Sequence, residues 1–373
     1  MNPLIQLPRV HLDWGARAVL PDELALLGIA RPLFVTDRGV VGCGAFARVR
    51  ETLGAEAPCA VYDGVPENPT VAGVEGAFQL YRAERCDGVV AVGGGSVIDS
   101  AKAVALLAGH PQPLAHYLGH PERITARIAP LVAIPTTAGT GSEASRGAGI
   151  HPDATSRGAS LGSPHIVPKA AICDPELTLT LPPHLTAATG MDALSHCVEA
   201  YLANTDHPPS DAVALDGAGR VARWIERAVE HGGDREARRQ MMLAALAGGI
   251  ALSCKGAGPA HAIANTFGDR GLHHGAMVTI ALPPVLRLLE RHAPEKMRQL
   301  AAAMQAPAGQ SAADMIERLN ARVGLPKSLR ALGYAAGDLD EMAEDAARSH
   351  FNARAAYRPS AADFCAMMQE AWG

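Results

Sequence analysis

Along the first half of the chain, short apolar runs alternate with segments of helical spacing. Arg31-Pro32-Leu33-Phe34-Val35-Thr36-Asp37 reads as a buried strand ending in an acid, and Ala60-Val61-Tyr62-Asp63 as a second. Residues 70–85 carry apolar positions at helical spacing. Asp87-Gly88-Val89-Val90-Ala91-Val92 predicts a third strand and Leu131-Val132-Ala133-Ile134 a fourth. Strands that are apolar throughout and alternate with helices imply a parallel sheet covered on both faces. Beyond Asp174-Pro175 the strand signals stop. Helical spacing then takes over at 186–202, 211–231, 234–253, 259–267 and 275–291, and in several segments out to Trp372. The change of character places a boundary near Pro182-Pro183. It divides the chain into an α/β domain, 1–182, and an all-helical domain, 183–373, with a cleft expected between them.

Two loops follow strands where a dinucleotide would need them. The third strand runs into Gly93-Gly94-Gly95-Ser96, with Asp99 three residues beyond Ser96. That spacing is a capping-box pattern and predicts a helix starting at Ser96. The glycines admit close backbone approach, and a helix N-terminus offers free N–H groups to a pyrophosphate. The alternative is a plain strand-to-helix turn that needs glycine; the usual G-x-G-x-x-G fingerprint is not present. The fourth strand leads to Pro135-Thr136-Thr137-Ala138-Gly139-Thr140-Gly141-Ser142-Glu143, rich in hydroxyls and flexible backbone. Asp37, closing the first strand, suits ribose hydroxyls and would repel a 2′-phosphate, favouring NAD over NADP, although Arg38 weakens that preference. Taken alone it reads more readily as a helix N-cap or turn aspartate.

In the second half, Asp192 and His196 lie four apart in a helical run and leave the same face one turn apart. A carboxylate and an imidazole so placed can grip one divalent cation, and His261 and His274 downstream would complete a four-ligand set. Each histidine alone reads more readily as a hydrogen-bonded structural residue than as a ligand, and the pair could be a helix-surface ion pair.

Composition narrows the partners. The 373 residues are 48% hydrophobic and 19% charged with a net charge of −5, and no Lys/Arg block occurs, which argues against nucleic acid. No uninterrupted apolar stretch is long enough to span a bilayer, so no membrane partner is expected. Residues 1–14 lack a basic region followed by an apolar run, so no secretory leader is expected. The seven scattered cysteines, without a CxxC pair, fit reduced thiols and a cytoplasmic setting.

Taken together, four segments resemble the iron-containing (group III) alcohol dehydrogenases across nearly the whole chain. They are Gly94-Gly95-Ser96-x-x-Asp99-x-Ala101-Lys102, the Pro135–Glu143 loop, Asp174-Pro175-x-Leu177, and Ala188-Thr189-Gly190-Met191-Asp192-Ala193-Leu194-x-His196. The resemblance implies an N-terminal dinucleotide-binding α/β domain plus an all-α metal-binding domain, the dehydroquinate synthase-like architecture. It implies NAD(P) and one divalent metal, Fe(II) or Zn(II), with Asp192, His196, His261 and His274 as ligands. Asp37, Asn68, Gly94, Gly95, Ser96, Thr136, Thr137 and Thr140 would face the cofactor. The implied reaction is hydride transfer between a nicotinamide and a small primary alcohol, aldehyde or hydroxyacid, in a homodimer or larger homo-oligomer. Two positions depart from the family pattern. Asn265 stands where relatives often carry a second histidine, and an amide cannot shuttle a proton; His273 is a candidate to take over. Where relatives often place a lysine near the ribose, the closest base is Arg157. Maleylacetate reductases and dehydroquinate-synthase-like lyases share the architecture. The complete ligand set argues against the first, and the Thr-Thr loop and Gly-Met-Asp segment against the second. A non-catalytic NAD-binding scaffold is a third reading, with Asn265 the one feature in its favour.

Overall fold

The structure, a computed structural model, describes residues 6–153, 158–267 and 274–373. Two compact units emerge. The chain up to Thr137 and Ser142–Leu181 form the first; Ala138–Gly141 and Pro182–Gly373 form the second.

The first unit is built on a parallel sheet of β1 (Arg9–Leu12), β2 (Pro32–Val35), β3 (Ala60–Tyr62), β4 (Gly88–Gly93), β5 (Leu131–Pro135) and β8 (Ala170–Cys173), in the order β1-β8-β5-β4-β2-β3. Its helices are α1 (Leu20–Leu27), α2 (Arg38–Gly42), α3 (Ala45–Arg50), α4 (Val71–Ala83) and α5 (Gly95–Gly109). Successive strand residues point to opposite faces, and the two cores show it. Leu33, Val35, Val89, Ala91, Leu131 and Ala133 pack with Val74 and Ala77 of α4 and Ile98 and Ala101 of α5. Phe34, Val90, Val92, Val132 and Ile134 pack with Leu20 and Leu24 of α1, Val40 of α2 and Val49 of α3. Each large apolar side chain so buried stabilises by about 1.5–3 kcal/mol. A sheet sandwiched this way needs strands that are apolar on both faces, which is the pattern in the sequence.

Sequence reading misses β1, β8 and the antiparallel hairpin of β6 (Gly147–Ile150) and β7 (Ala159–Gly162). These are four-residue strands, rich in Ala and Gly in β6, β7 and β8, and they carry little hydrophobic signal of their own.

The capping box expected at Ser96 and Asp99 does not form. The helix begins at Gly95, with Gly94 as an N-cap that makes no side-chain hydrogen bond. Tertiary partners take both side chains instead. Ser96 Oγ donates to the Glu67 carbonyl. Asp99 accepts from Ser142 Oγ (2.5 Å) and Gly149 N (2.8 Å). Lys102, fully buried one turn on, donates to Ser142 Oγ (2.7 Å), Ser145 Oγ (3.1 Å) and the Gly147 carbonyl (2.6 Å). An ammonium has three N–H groups, and all three are used. So α5 pins the segment that follows the threonine loop. Burial pulls Lys102 down to about 8, against the opposing charges of Asp99 and Glu143.

The second unit contains α6 (Pro183–Leu202), α7 (Pro208–Glu230), α8 (Arg235–Lys255), α9 (Pro259–Thr266), α10 (His274–Glu290), α11 (Pro294–Ala303), α12 (Ala312–Arg322), α13 (Leu339–Arg348) and α14 (Ala361–Trp372). Pro183 opens α6 at its first turn, where the missing N–H costs nothing. Every residue of α6 from Thr186 onward is buried, so it is the central helix of this unit. The stretch Ala138–Gly141 belongs here by backbone contact: a Cβ on Gly249 would lie 2.1 Å from the Gly141 carbonyl oxygen. Among the described residues no single helix is long and apolar enough to cross a membrane.

Candidate active site

In the first unit, β2 leads outward to β3, and the chain then returns to place β4 on the other side of β2. Open parallel sheets bind ligands at such a reversal, beyond the carboxyl ends of the strands. Asp37 follows β2, Asn68 lies in the exposed loop after β3, Gly94, Gly95 and Ser96 follow β4, and Thr136 and Thr137 follow β5. The strand ends are tied together there. Thr36 Oγ1 donates to the Val92 carbonyl (2.8 Å), and Thr136 N donates to the Gly93 carbonyl (3.0 Å). A Cβ at Gly94 would meet Thr137 at 3.3 Å, so the two loops touch. The α5 N-terminus keeps its first N–H groups clear of any side-chain cap, as an anion-binding turn requires. Asp37 caps α2 by accepting from Val40 N (2.8 Å), so the capping role is realised. Thr140 falls within the second unit.

In the second unit, Asp192, His196 and His261 each offer a ligand atom, all within 4.8 Å of one another. All three residues are buried. His196 Nε2 lies 3.7 Å from Asp192 Oδ1, and the His196 and His261 rings stack with centroids 4.9 Å apart. His274, exposed, stands beside this group, its ring centroid 5.3 Å from that of His261. It is the first residue of α10, one position before the helical spacing read from the sequence begins. His273 and Arg157 lie outside the described residues. Asn265 is half-buried on α9, one turn after His261.

One ring nitrogen tests whether a cation fits. His261 Nε2 is buried with no hydrogen-bond partner among the described residues, and His196 faces Asp192 through Nε2. A buried polar atom left unpaired costs about 1–3 kcal/mol, so a partner is called for. Neutral imidazoles and a carboxylate are the donors that Fe(II) and Zn(II) accept. Burial lowers the pKa of His196 despite nearby Asp192, which keeps it in the neutral, ligating form. For His261 burial works the same way, but Glu199 and Asp192 outweigh it and raise the pKa.

Sequence reading misses Glu199 and Phe351. Glu199 is buried and hydrogen-bonded to His261 Nδ1. The signal was available, since Asp192, His196 and Glu199 fall at i, i+4 and i+7 in an otherwise apolar helix. The Phe351 ring lies 5.7 Å from that of His261, and its distance along the chain left no local cue.

A family profile described as "Iron-containing alcohol dehydrogenase" matches residues 8–175, and one described as "Fe-containing alcohol dehydrogenase family, C-terminal" matches 186–372. The chain belongs to the iron-containing alcohol dehydrogenase family. It is accordingly an NAD(P)-dependent oxidoreductase acting on CH–OH groups, with the two-part fold of that family. It is 43% identical to 4-hydroxybutyrate dehydrogenase of Cupriavidus necator over 98% of both chains. The crystal structure of a 1,3-propanediol oxidoreductase matches with a TM-score of 0.95 at 33% identity, covering 99% of each chain. Sulfoacetaldehyde reductase from Bifidobacterium kashiwanohense, solved in complex with NAD+, matches with a TM-score of 0.91 at 25% identity, covering 100% of this chain and 99% of that one.

Proposed function

We propose that this enzyme oxidises the terminal hydroxyl of a short ω-hydroxyacid or diol, and reduces the matching aldehyde, using NAD and one divalent cation. The observation that carries the reading is the buried cluster of Asp192, His196 and His261, in which His261 Nε2 has no hydrogen-bond partner among the described residues. The substrate class is supported by the 43% identity, end to end, with a 4-hydroxybutyrate dehydrogenase. Asp192, His196, His261 and His274 would hold the metal, Fe(II) or Zn(II). When bound, the cation supplies a Lewis acid for the substrate oxygen. The nicotinamide supplies the redox chemistry.

The chain's own residues do the rest. Three neutral imidazoles and one carboxylate leave the dication an excess of about one positive charge, suited to a developing alkoxide. Phe351 shields His261 on one side, and the burial of all three clustered donors excludes water from them. Asn265 can donate a hydrogen bond to substrate but cannot relay a proton, so proton release would run through another group. Asp37, Asn68, Gly94, Gly95, Ser96, Thr136, Thr137 and Thr140 would contact the dinucleotide, with the acid at 37 favouring NAD over NADP. Homodimerisation or larger assembly is proposed from the family resemblance. A cytoplasmic setting is proposed from seven cysteines that are all unpaired.

The metal-stripped protein, assayed with 4-hydroxybutyrate, 1,3-propanediol and ethanol in the presence of NAD, tests this. Activity should return on adding Fe(II) or Zn(II), with kcat/KM highest for the hydroxyacid or diol. Full turnover without metal would refute the reading and favour a metal-independent reductase on the same fold.

A further inference from the structure

A carboxylate is expensive to bury unless its oxygens are satisfied. The Glu199 side chain is only 2% exposed, and both of its oxygens are engaged. Oε1 accepts from Ala260 N (2.6 Å), in the first turn of α9, and Oε2 accepts from His261 Nδ1 in a short hydrogen bond. Room for the carboxylate comes from Gly258, where a Cβ would lie 2.9 Å from Oε1.

This arrangement fixes more than position. An ionised carboxylate can only accept, so His261 Nδ1 must carry the ring proton. The lone pair then sits on Nε2, the buried atom without a partner among the described residues. Histidines that ligate metals are commonly held this way by a carboxylate on the far nitrogen, which orients the ring and strengthens it as a donor.

We propose that Glu199 is the positioning residue of this site: held by the Ala260 amide, it sets the tautomer and ring orientation of His261 so that Nε2 faces a divalent cation. The assignment rests on the metal-dependent reading above. α6 then contributes Asp192 and His196 directly and governs His261, on a different helix, through Glu199. The same link ties α9 to α6, so loading the cation also locks the two helices together.

Two substitutions in the full-length protein test it. In Glu199→Gln one oxygen must serve two donors. If it stays on Ala260 N–H, the amide NH2 faces Nδ1 and drives the ring proton onto Nε2, where it blocks ligation. If it turns to His261, two N–H groups confront each other at Ala260. Gly258→Ala leaves all charges in place and pushes the carboxylate aside; the backbone there, at φ −139°, accepts alanine. The metal-free proteins are titrated with Zn(II) against a chromophoric chelator, and NADH binding is followed by fluorescence.

Wild type should bind one cation per chain. Glu199→Gln should bind it about 10- to 100-fold more weakly, with NADH affinity unchanged; Gly258→Ala should weaken it in the same direction. If Glu199→Gln does not fold, Gly258→Ala decides. Wild-type metal affinity in both variants overturns the role of Glu199 while leaving the metal site standing. Parallel loss of metal and NADH binding marks a general collapse and also overturns it. Failure of the wild type to bind any metal overturns the metal-dependent reading, and the proposal with it.

Discussion

Gly275 lets α10 approach α6 closely beside the clustered ligands, and replacing it with alanine should damage stability and metal binding together. An ideal Cβ at 275 would lie 2.2 Å from the Ala188 carbonyl oxygen and 3.0 Å from both the Ala188 carbonyl carbon and Asp192 Cβ. Ordinary van der Waals contact begins near 3.4 Å, so the start of α10 must retreat from α6 by roughly 1 Å, a strain that overpacking a close-packed interior imposes. Such overpacking costs about 1–3 kcal/mol. In a unit of this size each kcal/mol lowers Tm by about 2–4 °C, giving a fall of about 2–12 °C. The displaced residues are functional ones, since His274 precedes Gly275 and Asp192 sits opposite it. Gly337→Ala serves as the control. That glycine is exposed and has nothing within 4 Å of an added Cβ, so its effect should stay within about 0.5 kcal/mol. Differential scanning calorimetry of the metal-free proteins and Zn(II) titration of both variants give the comparison. If Gly275→Ala matches Gly337→Ala in Tm and in metal affinity, the close approach described for α6 and α10 is wrong.

Burial pushes the Glu143 carboxyl up to about 7 despite Lys102 nearby, so its ionisation weakens the fold. Stability from this group is complete below the usual 4.5 and is lost as pH rises through 7, to a total of about 3 kcal/mol. Glu143→Gln should therefore melt progressively higher than wild type between about pH 4 and about pH 8; a constant difference in Tm across that range would contradict the assignment. Asp37→Asn keeps the α2 cap and removes the charge. A carboxylate–phosphate repulsion near water is worth about 1 kcal/mol, so the NADP-to-NAD ratio of kcat/KM should rise about five- to tenfold. An unchanged ratio would place the 2′-position away from residue 37.

The sequence spells out the layered half well where strands are long and apolar. Val89-Val90-Ala91-Val92 can be satisfied only by burial on both faces, and β4 is the result. Ala170-Ala171-Ile172-Cys173 is as deeply buried, but its small side chains carry too little signal to separate a strand from a loop. The misplaced capping box has a different cause. Ser96 and Asp99 have the right local spacing, yet Glu67, Ser142 and Gly149 compete for their side chains from far along the chain. Asp192 and His196 were visible because one helix turn is a local rule. That His261 joins them depends on how α9 meets α6, and sequence spacing holds no record of that. Glu199 sits at the i+7 position of the same helix, but its partners Ala260 and His261 lie on α9, far along the chain.

The four residues Ala138–Gly141 carry a practical consequence for anyone dissecting this enzyme. A gene fragment starting at Pro182 would encode every helix from α6 onward and still omit the peptide nested against Gly249 and Thr189. Such a fragment would expose a raw seam along α6 and α8, while its complement would carry that peptide as an unsupported internal loop. Split-protein reconstitution should therefore succeed only when the first piece delivers that loop, or when a synthetic peptide supplies it.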